Sequence, residues 1–339
     1  MESPKEKDTK FNKPLVVYRI KKPQIFDITK DMLKYLIDKN YVEYIYLENP
    51  DKIKEDPVFQ DEKYSSHIKV FDPVTQDSNI CIIIGGDGTC LWANQLYKEK
   101  PKPPFFCFHG GNLGFLAVYE PNDFKKIFDE LYSGGEFNKI NRKEIKCTVY
   151  KKKVDKNKNN DNKDNKDNDI NNFEGYEKIA TYNALNELIL EKKKNMSHLY
   201  LFLKDQFLAK VDSDGFIASS PTGSTAYSLS AGGPILHNDV QGIIISAICP
   251  FSLSFRPIVL STDVNLRVKN NNDQFEGSES VIKIDGNDKG TLENDMFLEI
   301  SLSDETIDFI LLKAIHESQD SLWIQKLSKS LGWNYAFNH

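Results

Sequence analysis

The sequence has no apolar run long enough to cross a bilayer as a helix. Its uninterrupted apolar runs, such as Cys81 to Ile84 and Phe309 to Leu312, fall far short of the roughly 20 residues that a membrane helix needs. The residues from Met1 to Lys13 are polar and charged, and they contain no hydrophobic region of a secretory signal. These absences predict a protein that neither spans a membrane nor enters the secretory pathway.

An excess of positive charge is also missing. The 44 Lys and Arg residues are outnumbered by 50 Asp and Glu residues, which gives a formal net charge of −6. A chain of this sign does not present the broad basic surface that neutralises many nucleic acid phosphates, so we expect no nucleic acid partner. With 339 residues, 40% of them hydrophobic, the chain is nevertheless long enough to bury at least one sizeable core.

Disulfide and metal-ligand patterns are absent as well. The five cysteines form an odd set without a C-x-x-C pair, and several lie in apolar runs where a thiol behaves as a small hydrophobic group. The six histidines are scattered and show no H-x-x-x-H spacing. We therefore predict no metal-ligating side chains and a reduced, cytoplasmic compartment.

One low-complexity segment divides the chain. Residues 151–172 contain 7 Lys, 5 Asp and 8 Asn but only two apolar residues. Such a segment cannot recover the entropy cost of ordering through burial. We predict a disordered insertion between two strands.

Short apolar strands alternate with helical stretches before this insertion. The alternation is typical of a parallel sheet with crossover helices. After a polar tail at residues 1–12, we therefore predict an α/β nucleotide-binding domain over residues 13–140. Its predicted elements are strands at Leu15 to Ile20, Tyr44 to Leu47, Ile80 to Ile84 and Phe105 to Phe108, and a helix at Asp123 to Tyr132.

After the insertion, β-like runs follow one another with few helices between them. This pattern predicts a mostly antiparallel, sandwich-like β-rich domain over residues 141–315. A last helix is predicted over residues 320–332, with Asp320 or Ser321 as its N-cap and Ile324, Leu327 and Leu331 on one face. The β-like runs lie at residues 185–190, 199–203, 207–211, 242–248, 264–268, 281–284, 297–302 and 307–312.

The strongest signal for chemistry is a glycine-rich turn, Gly85-Gly86-Asp87-Gly88-Thr89, which links a buried strand to a helical stretch at Leu91 to Tyr97. Glycines let backbone N–H groups approach phosphate oxygens, and the helix N-terminus adds donors. The turn matches neither G-x-x-x-x-G-K-[ST] nor G-x-G-x-x-G. Because Asp87 would be repelled by phosphate unless it binds a metal or accepts a proton, phosphoryl transfer explains it better than a plain turn does.

Three further polar stretches accompany this turn. Gly110 to Leu116 follows the next strand, where it fits either a ligand lying over adjacent strand ends or a structural turn. Asn186-Glu187 interrupts an apolar run and needs polar partners, which a core network or a ribose and an adenine edge would supply. Small hydroxyl residues crowd the stretch from Asp214 to Pro234, with Tyr227 as a stacking face and no G-x-S-x-G nucleophile elbow.

Together these motifs closely resemble those of the NAD kinase family. The glycine-rich turn alone is shared with diacylglycerol, sphingoid and 6-phosphofructokinases, whereas Asn186-Glu187 combined with residues 222–233 is highly specific. The resemblance covers roughly residues 80–286 without the insertion. It is carried by Gly85 to Thr89, Gly111 to Phe115, Asn186-Glu187, Asp214-Gly215, Pro221 to Tyr227, Gly232 to Pro234 and Leu253 to Pro257, with Asp285-Gly286 as a weaker late motif.

The resemblance implies ATP-dependent phosphorylation of the 2′-hydroxyl of the adenosine ribose of NAD, with Mg²⁺ or another divalent cation accompanying ATP. It implies Asp87 as the catalytic base, and Gly86, Gly88 and Thr89 as the residues that serve the donor phosphates. It further implies a Rossmann-like N-terminal domain on which the last helix packs, an all-β C-terminal domain, and a homodimer or homotetramer. The dinucleotide would contact Phe115, Asn186, Glu187, Asp214, Thr222, Thr225, Ala226, Tyr227 and Ser230.

Two other functions remain open from the sequence. One is a lipid or sugar kinase that uses the same glycine-rich turn, although such a site does not require Asn186-Glu187 or the stretch from Thr222 to Tyr227. The other is a non-catalytic NAD-binding sensor, against which the intact Asp87 argues.

Overall fold

The computed structural model describes residues 11–19, 23–74, 77–97, 101–111, 114–153, 172–271, 279–316 and 318–331. Residues 1–10 of the predicted polar tail, residues 112–113 of the second glycine-rich stretch and residues 154–171 of the predicted insertion lie outside these ranges. The chain divides into two compact units, Met1–Asn141 with Ile307–His339, and Arg142–Thr306. Within the described ranges, every helix is too short or too polar to cross a membrane.

The first unit is an α/β unit with a parallel sheet, as predicted. Its strand order is the end of β16, then β5, β4, β1, β2 and β3, and each neighbouring pair is parallel. Every residue of β4 is buried, as expected for a central strand covered on both faces. The strands are β1 (Pro14–Tyr18), β2 (Ile45–Leu47), β3 (Ile68–Val70), β4 (Ile80–Gly85), β5 (Phe105–His109) and β16 (Met296–Leu312).

Helices cover both faces of this sheet. α1 and α5 share one hydrophobic cluster with Val16, Ile82 and Phe106. α4 packs on the opposite face, because its Cys90 thiol contacts Cys107, which points away from that cluster. The helices of this unit are α1 (Pro23–Asp38), α2 (Asp51–Lys54), α3 (Glu62–Ser65), α4 (Asp87–Leu96), α5 (Phe124–Tyr132) and α7 (Gln319–Leu331).

Two helices of the first unit differ from their predicted form. α4 begins at Asp87 rather than at Leu91, so the glycine-rich turn is also the first turn of the helix. The predicted N-cap of α7 is wrong, because the helix begins one residue earlier and the Ser318 hydroxyl accepts a hydrogen bond from the Ser321 N–H at 3.0 Å. Ile324 and Leu327 were predicted on one face, but Leu327 is buried and Ile324 is 59% exposed.

The second unit is β-rich, as predicted. Its strands follow the order β15, β14, β8, β10, β9, β13 and the first part of β16, and these neighbours are antiparallel. The strands are β6 (Phe137–Lys152), β7 (Tyr176–Ala184), β8 (Glu187–Lys192), β9 (Ser197–Leu203), β10 (Gln206–Ser219), β11 (Ile243–Pro250), β12 (Ile258–Leu260), β13 (Leu266–Asn270), β14 (Ser280–Ile284) and β15 (Asn287–Leu292), and the short helix α6 is Tyr227–Ser230.

Three strands of this unit run further than their apolar patterns indicated. β16 is one continuous strand where the sequence predicted two, because the polar residues between the two apolar runs stay extended. β10 continues through Asp214 to Ser219, and its second half pairs with both β8 and β11. β6 continues through Lys152, which pairs with Tyr176, so the first two residues of the predicted insertion are strand residues.

The buried hydroxyl of Tyr119 generates a test of the first unit. This side chain is 1% exposed, donates a hydrogen bond to the Ile310 carbonyl at 3.2 Å and accepts one from the Leu312 N–H at 2.7 Å. Tyr119→Phe leaves that buried N–H unpaired, so we expect a loss of about 1–3 kcal/mol in the free energy of unfolding, measured in urea. In the control Tyr18→Phe, which removes only a 3.5 Å contact with the Asn49 carbonyl, we expect a change below about 0.5 kcal/mol. Equal losses of unfolding free energy in the two variants would contradict a stabilising role for the Tyr119 hydroxyl.

Candidate active site

The first group of predicted site residues lies where β4 ends. Gly86 immediately precedes α4, and its carbonyl accepts a hydrogen bond from the Thr89 N–H at 2.8 Å. A Cβ at Gly85 would collide with the Thr89 side chain, so glycine is required there for close packing. The turn is thereby closed tightly onto the start of the helix.

Asp87 is held by three successive backbone N–H groups. Its Oδ2 accepts from Phe115 at 2.7 Å, and its Oδ1 accepts from Leu116 at 2.9 Å and from Ala117 at 3.2 Å. Each carboxylate oxygen can accept about two hydrogen bonds, so among the residues that the structure describes one position on Oδ2 stays available. A Cβ at Gly114 would collide with this carboxylate, so the loop can wrap around Asp87 only with glycine at that position.

Gly86 and Gly88 differ from the glycines that pack tightly. A Cβ added at either position would meet no atom within 4 Å. The backbone beside Asp87 therefore borders open space. Amides at such a turn, at the beginning of a helix, are suited to phosphate oxygens.

Lys326, a residue of α7, binds the loop whose amides hold Asp87. Its Nζ donates a hydrogen bond to the Phe115 carbonyl at 2.7 Å, and the residue is only 4% exposed. Lys326 was not among the predicted site residues, because only the apolar residues of α7 were used to predict its packing. The spacing of four from buried Leu322 is the signal that could have found it.

The second unit contains a carboxylate held in the same way. Asp285 Oδ2 accepts from the Leu185 N–H at 2.8 Å, and Oδ1 accepts from Asn186 at 2.9 Å and Glu187 at 3.2 Å. Asp285 and Gly286 have φ values of +45° and +79° and form the two-residue turn between β14 and β15. Asn186-Glu187 was predicted to interrupt a strand, but Asn186 lies in a bend before β8 and Glu187 begins that strand.

The serine- and threonine-rich stretch packs directly on this bend. The Ser220 N–H donates to the Asn186 carbonyl at 2.9 Å, and the Ser220 hydroxyl donates to the Leu185 carbonyl at 2.6 Å. A Cβ at Gly223 would collide with the Asn186 carbonyl, so the two segments are in backbone contact. Residues Thr222–Thr225 form a 3₁₀ helix that leads through Ala226 into α6.

Glu187 is the most perturbed carboxyl group of this cluster. Its pKa is raised to about 8, chiefly by burial and also by the charge of Asp285, while a hydrogen bond from the Tyr227 N–H acts in the opposite direction. Its Oε2 is buried and has no hydrogen-bond partner within the described part of the chain. Burial also raises the pKa of Asp285 to about 6, against the effect of its three amide donors. At neutral pH Glu187 is therefore protonated, and it accepts a hydrogen bond from Tyr227 while its Oε2 has no partner among the described residues.

The predicted site residues thus form one group in each unit, with one exception. Asp214 lies within β10 and forms an ion pair with Lys192 at 2.6 Å. Five residues separate it from Ser219, which is about 17 Å of extended strand. The group around Asp87 consists of Gly86, Gly88, Thr89 and Phe115, and the group around Asp285 consists of Asn186, Glu187, Thr222, Thr225, Ala226, Tyr227 and Ser230.

Comparison with known proteins identifies the family. The model of the ATP-NAD kinase N-terminal domain matches residues 15–137, and that of the ATP-NAD kinase C-terminal domain matches residues 185–312. The chain belongs to the ATP-NAD kinase family. The NAD kinase of Fusobacterium nucleatum is 31% identical over 299 residues, which cover 87% of this chain and 90% of that one.

Other ATP-NAD kinase relatives are longer than this chain. The ATP-NADH kinase YEF1 of Saccharomyces cerevisiae is 33% identical over 259 residues, which cover 76% of this chain but only 48% of that protein. The mitochondrial NADH kinase pos5 of Schizosaccharomyces pombe is 29% identical, and the match covers 78% of this chain and 61% of that protein. The chain therefore spans about half to three fifths of these two relatives.

Solved structures of ATP-NAD kinases have the same fold. Yeast NADH kinase complexed with NADH superposes with a TM-score of 0.80 at 22% identity, covering 97% of this chain and 90% of that one. An NAD kinase from Archaeoglobus fulgidus in complex with ATP gives a TM-score of 0.60 at 19% identity, covering 92% of this chain and 98% of that one.

The raised pKa of Glu187 predicts a pH-dependent stability. Because the pKa is raised to about 8 in the folded state, this group stabilises the fold fully at acidic pH, and that stabilisation is lost as the pH rises through about 8. In Glu187→Gln, the decrease in the free energy of unfolding between pH 5 and pH 9 should shrink by roughly 4 kcal/mol. Urea unfolding at several pH values measures it. In the exposed control Glu177→Gln, the free energy of unfolding should depend on pH as in the wild type. The same dependence in Glu187→Gln would contradict the raised pKa of Glu187.

Proposed function

We propose that the protein is an NAD kinase, which transfers the γ-phosphate of ATP to the 2′-hydroxyl of the adenosine ribose of NAD and so makes NADP. Membership of the ATP-NAD kinase family supports the reaction. A neighbour that contains NADH and another that contains ATP support the two substrates. The observation that carries the chemistry is the Asp87 carboxylate, held by three amides beside open backbone.

Asp87 acts as the base in this proposal. Its three amide donors fix the carboxylate and stabilise its charge, while the available position on Oδ2 accepts the proton of the 2′-hydroxyl. The ribose oxygen forms a bond to the γ-phosphorus as the bond from that phosphorus to the β,γ-bridging oxygen breaks. ADP leaves with the bridging oxygen, and the proton stays on Asp87 until it is released to solvent.

The donor phosphates are bound by amides rather than by a field of lysines. Gly86 and Gly88 supply backbone N–H groups at the beginning of α4, where the helix dipole favours negative charge. Thr89, whose N–H donates to the Gly86 carbonyl, supplies its side-chain hydroxyl. Within the described residues, Asp87 belongs to no group of three side chains suited to hold a metal. A divalent cation would therefore be held chiefly by the phosphates of ATP, and it would neutralise their developing charge.

The dinucleotide is bound by the group around Asn186 and Glu187. The protonated Glu187 offers a hydrogen-bond donor to an acceptor on the adenosine, and Tyr227, 38% exposed, offers a ring face. Phe115 and Asp214 complete the proposed set.

We also propose that the first unit is Rossmann-like and that the second is a sandwich. We further propose that the enzyme is a homodimer or homotetramer, and analytical sedimentation measures the number of subunits.

A substrate panel tests the proposed activity. The full chain is incubated with labelled ATP, Mg²⁺ and either NAD, NADH, diacylglycerol, sphingosine or fructose 6-phosphate. We expect label in NADP or NADPH and none in the lipids or the sugar. Transfer to a lipid or to the sugar would replace the proposal by another kinase activity, and calorimetric binding of NAD without release of ADP would replace it by a sensor.

Asp87→Asn tests the base. The variant cannot accept the proton, so we expect kcat to fall by about 10²–10⁴-fold. The Kd for NAD, measured by calorimetry, should change by less than about threefold. Because an amide nitrogen would face one of the backbone donors, the urea midpoint is measured alongside.

Asp123→Asn is the matched control, since this exposed carboxylate lies on the same unit away from the turn. Its kcat should equal that of the wild type. Substantial turnover by a folded Asp87→Asn enzyme would remove Asp87 from the role of base.

A further inference from the structure

Trp92 is an exposed aromatic residue held in a fixed position beside the glycine-rich turn. Its side chain is 45% exposed, and its Nε1 donates a hydrogen bond to Glu48 Oε2 at 2.8 Å. It lies one helical turn after Gly88, and helical side chains lean toward the N-terminus of their helix. The hydrogen bond places the indole beside Glu48, one helical turn along α4 from Gly88, with much of its surface open to solvent.

Arg19 lies on the same face of the sheet. Its N–H donates to the Ile84 carbonyl at 3.3 Å, which extends the pairing of β1 with β4 one residue beyond β1. Val16 and Tyr18 point into the cluster with α1 and α5, so alternation directs Arg19 to the opposite face, which α4 covers. The residue is exposed, and it is a cation in a chain of net charge −6.

The strand order places these groups in one row along the carboxyl edge of the sheet. The glycine-rich turn follows β4, Arg19 follows the neighbouring β1, and Glu48 follows β2, the next strand along. α4 crosses this row, because it begins at Asp87 and its Trp92 reaches Glu48. The open backbone at Gly86 and Gly88, the Arg19 cation and the exposed ring of Trp92 therefore lie close to one another along this edge of the sheet.

We infer that this row is the subsite of the donor nucleotide, with the purine base stacked on Trp92 and Arg19 bound to the phosphates. The inference rests on the proposed kinase function, and it assigns the base of ATP to residues outside the family motifs quoted above. Stacking of a base on an aromatic side chain contributes to the affinity for a nucleotide. A guanidinium group binds phosphate oxygens through paired hydrogen bonds.

Trp92→Ala tests the stacking. We expect the KM for ATP to rise about 10-fold or more, while kcat at saturating ATP and the KM for NAD stay within about twofold. Trp92→Phe keeps an aromatic face, so its KM for ATP should stay within about threefold of the wild type. Thermal unfolding of both variants shows whether α4 is intact.

Inorganic tripolyphosphate separates contacts to the base from contacts to the phosphates, because it has no base. Its inhibition constant against ATP should be unchanged in Trp92→Ala. In Arg19→Gln, both this constant and the KM for ATP should rise several-fold. Lys126→Gln, an exposed lysine on α5 at the opposite face of the sheet, is the charge-matched control and should change neither.

An unchanged KM for ATP in Trp92→Ala would overturn the inference, and so would an equal rise in the constants for ATP and tripolyphosphate. Calorimetric titration of the same variants with ATP and with tripolyphosphate gives these comparisons without turnover. If the wild type binds ATP through Trp92 but forms no NADP, the proposed function fails and the subsite stands. If NADP forms while Trp92 has no effect on ATP, the subsite fails and the function stands.

Discussion

A carboxylate bound by three successive backbone N–H groups is the interaction on which both units depend. Asp87 binds the amides of residues 115–117, and Asp285 binds those of residues 185–187. These amides lie in loops, in bends or at the first residue of β8, and an unpaired buried amide is costly. The carboxylate satisfies all three at once and fixes the path of the loop. Each loop that carries predicted site residues is therefore shaped around one acidic side chain.

The same arrangement serves two different purposes. Asp285 is 8% exposed in a tight turn, and it holds in place the bend to which the serine- and threonine-rich stretch is attached. Asp87 begins a helix beside two glycines with open space, and one position on its oxygens is not used by any described residue. A chain with net charge −6 can therefore bind polyphosphates through oriented amides. Of its buried acids, Asp285 is stabilised by hydrogen bonds from amides and Glu187 is protonated.

Features that depend on neighbouring residues could be predicted from the sequence, and those that depend on distant residues could not. The glycine-rich turn, the α/β alternation and the β-rich second half are local patterns. The position of Asn186 in a bend depends on Asp285, about 100 residues further along the chain, and the buried Lys326 depends on Phe115, 211 residues earlier. β16 looked like two strands because Ser303 to Thr306 is a polar stretch, yet pairing on both sides of that stretch keeps it extended.

The central claim is that the Asp87 carboxylate, still bound to its three amides, takes the proton from the hydroxyl group that is phosphorylated. A crystal structure with NAD, Mg²⁺ and a non-hydrolysable ATP analogue measures the distance from Asp87 Oδ2 to the ribose 2′-oxygen. The account predicts a hydrogen bond of about 2.6–3.2 Å, with the Phe115, Leu116 and Ala117 donors retained. A 2′-oxygen beyond about 4 Å, bound instead to another acceptor, would contradict it.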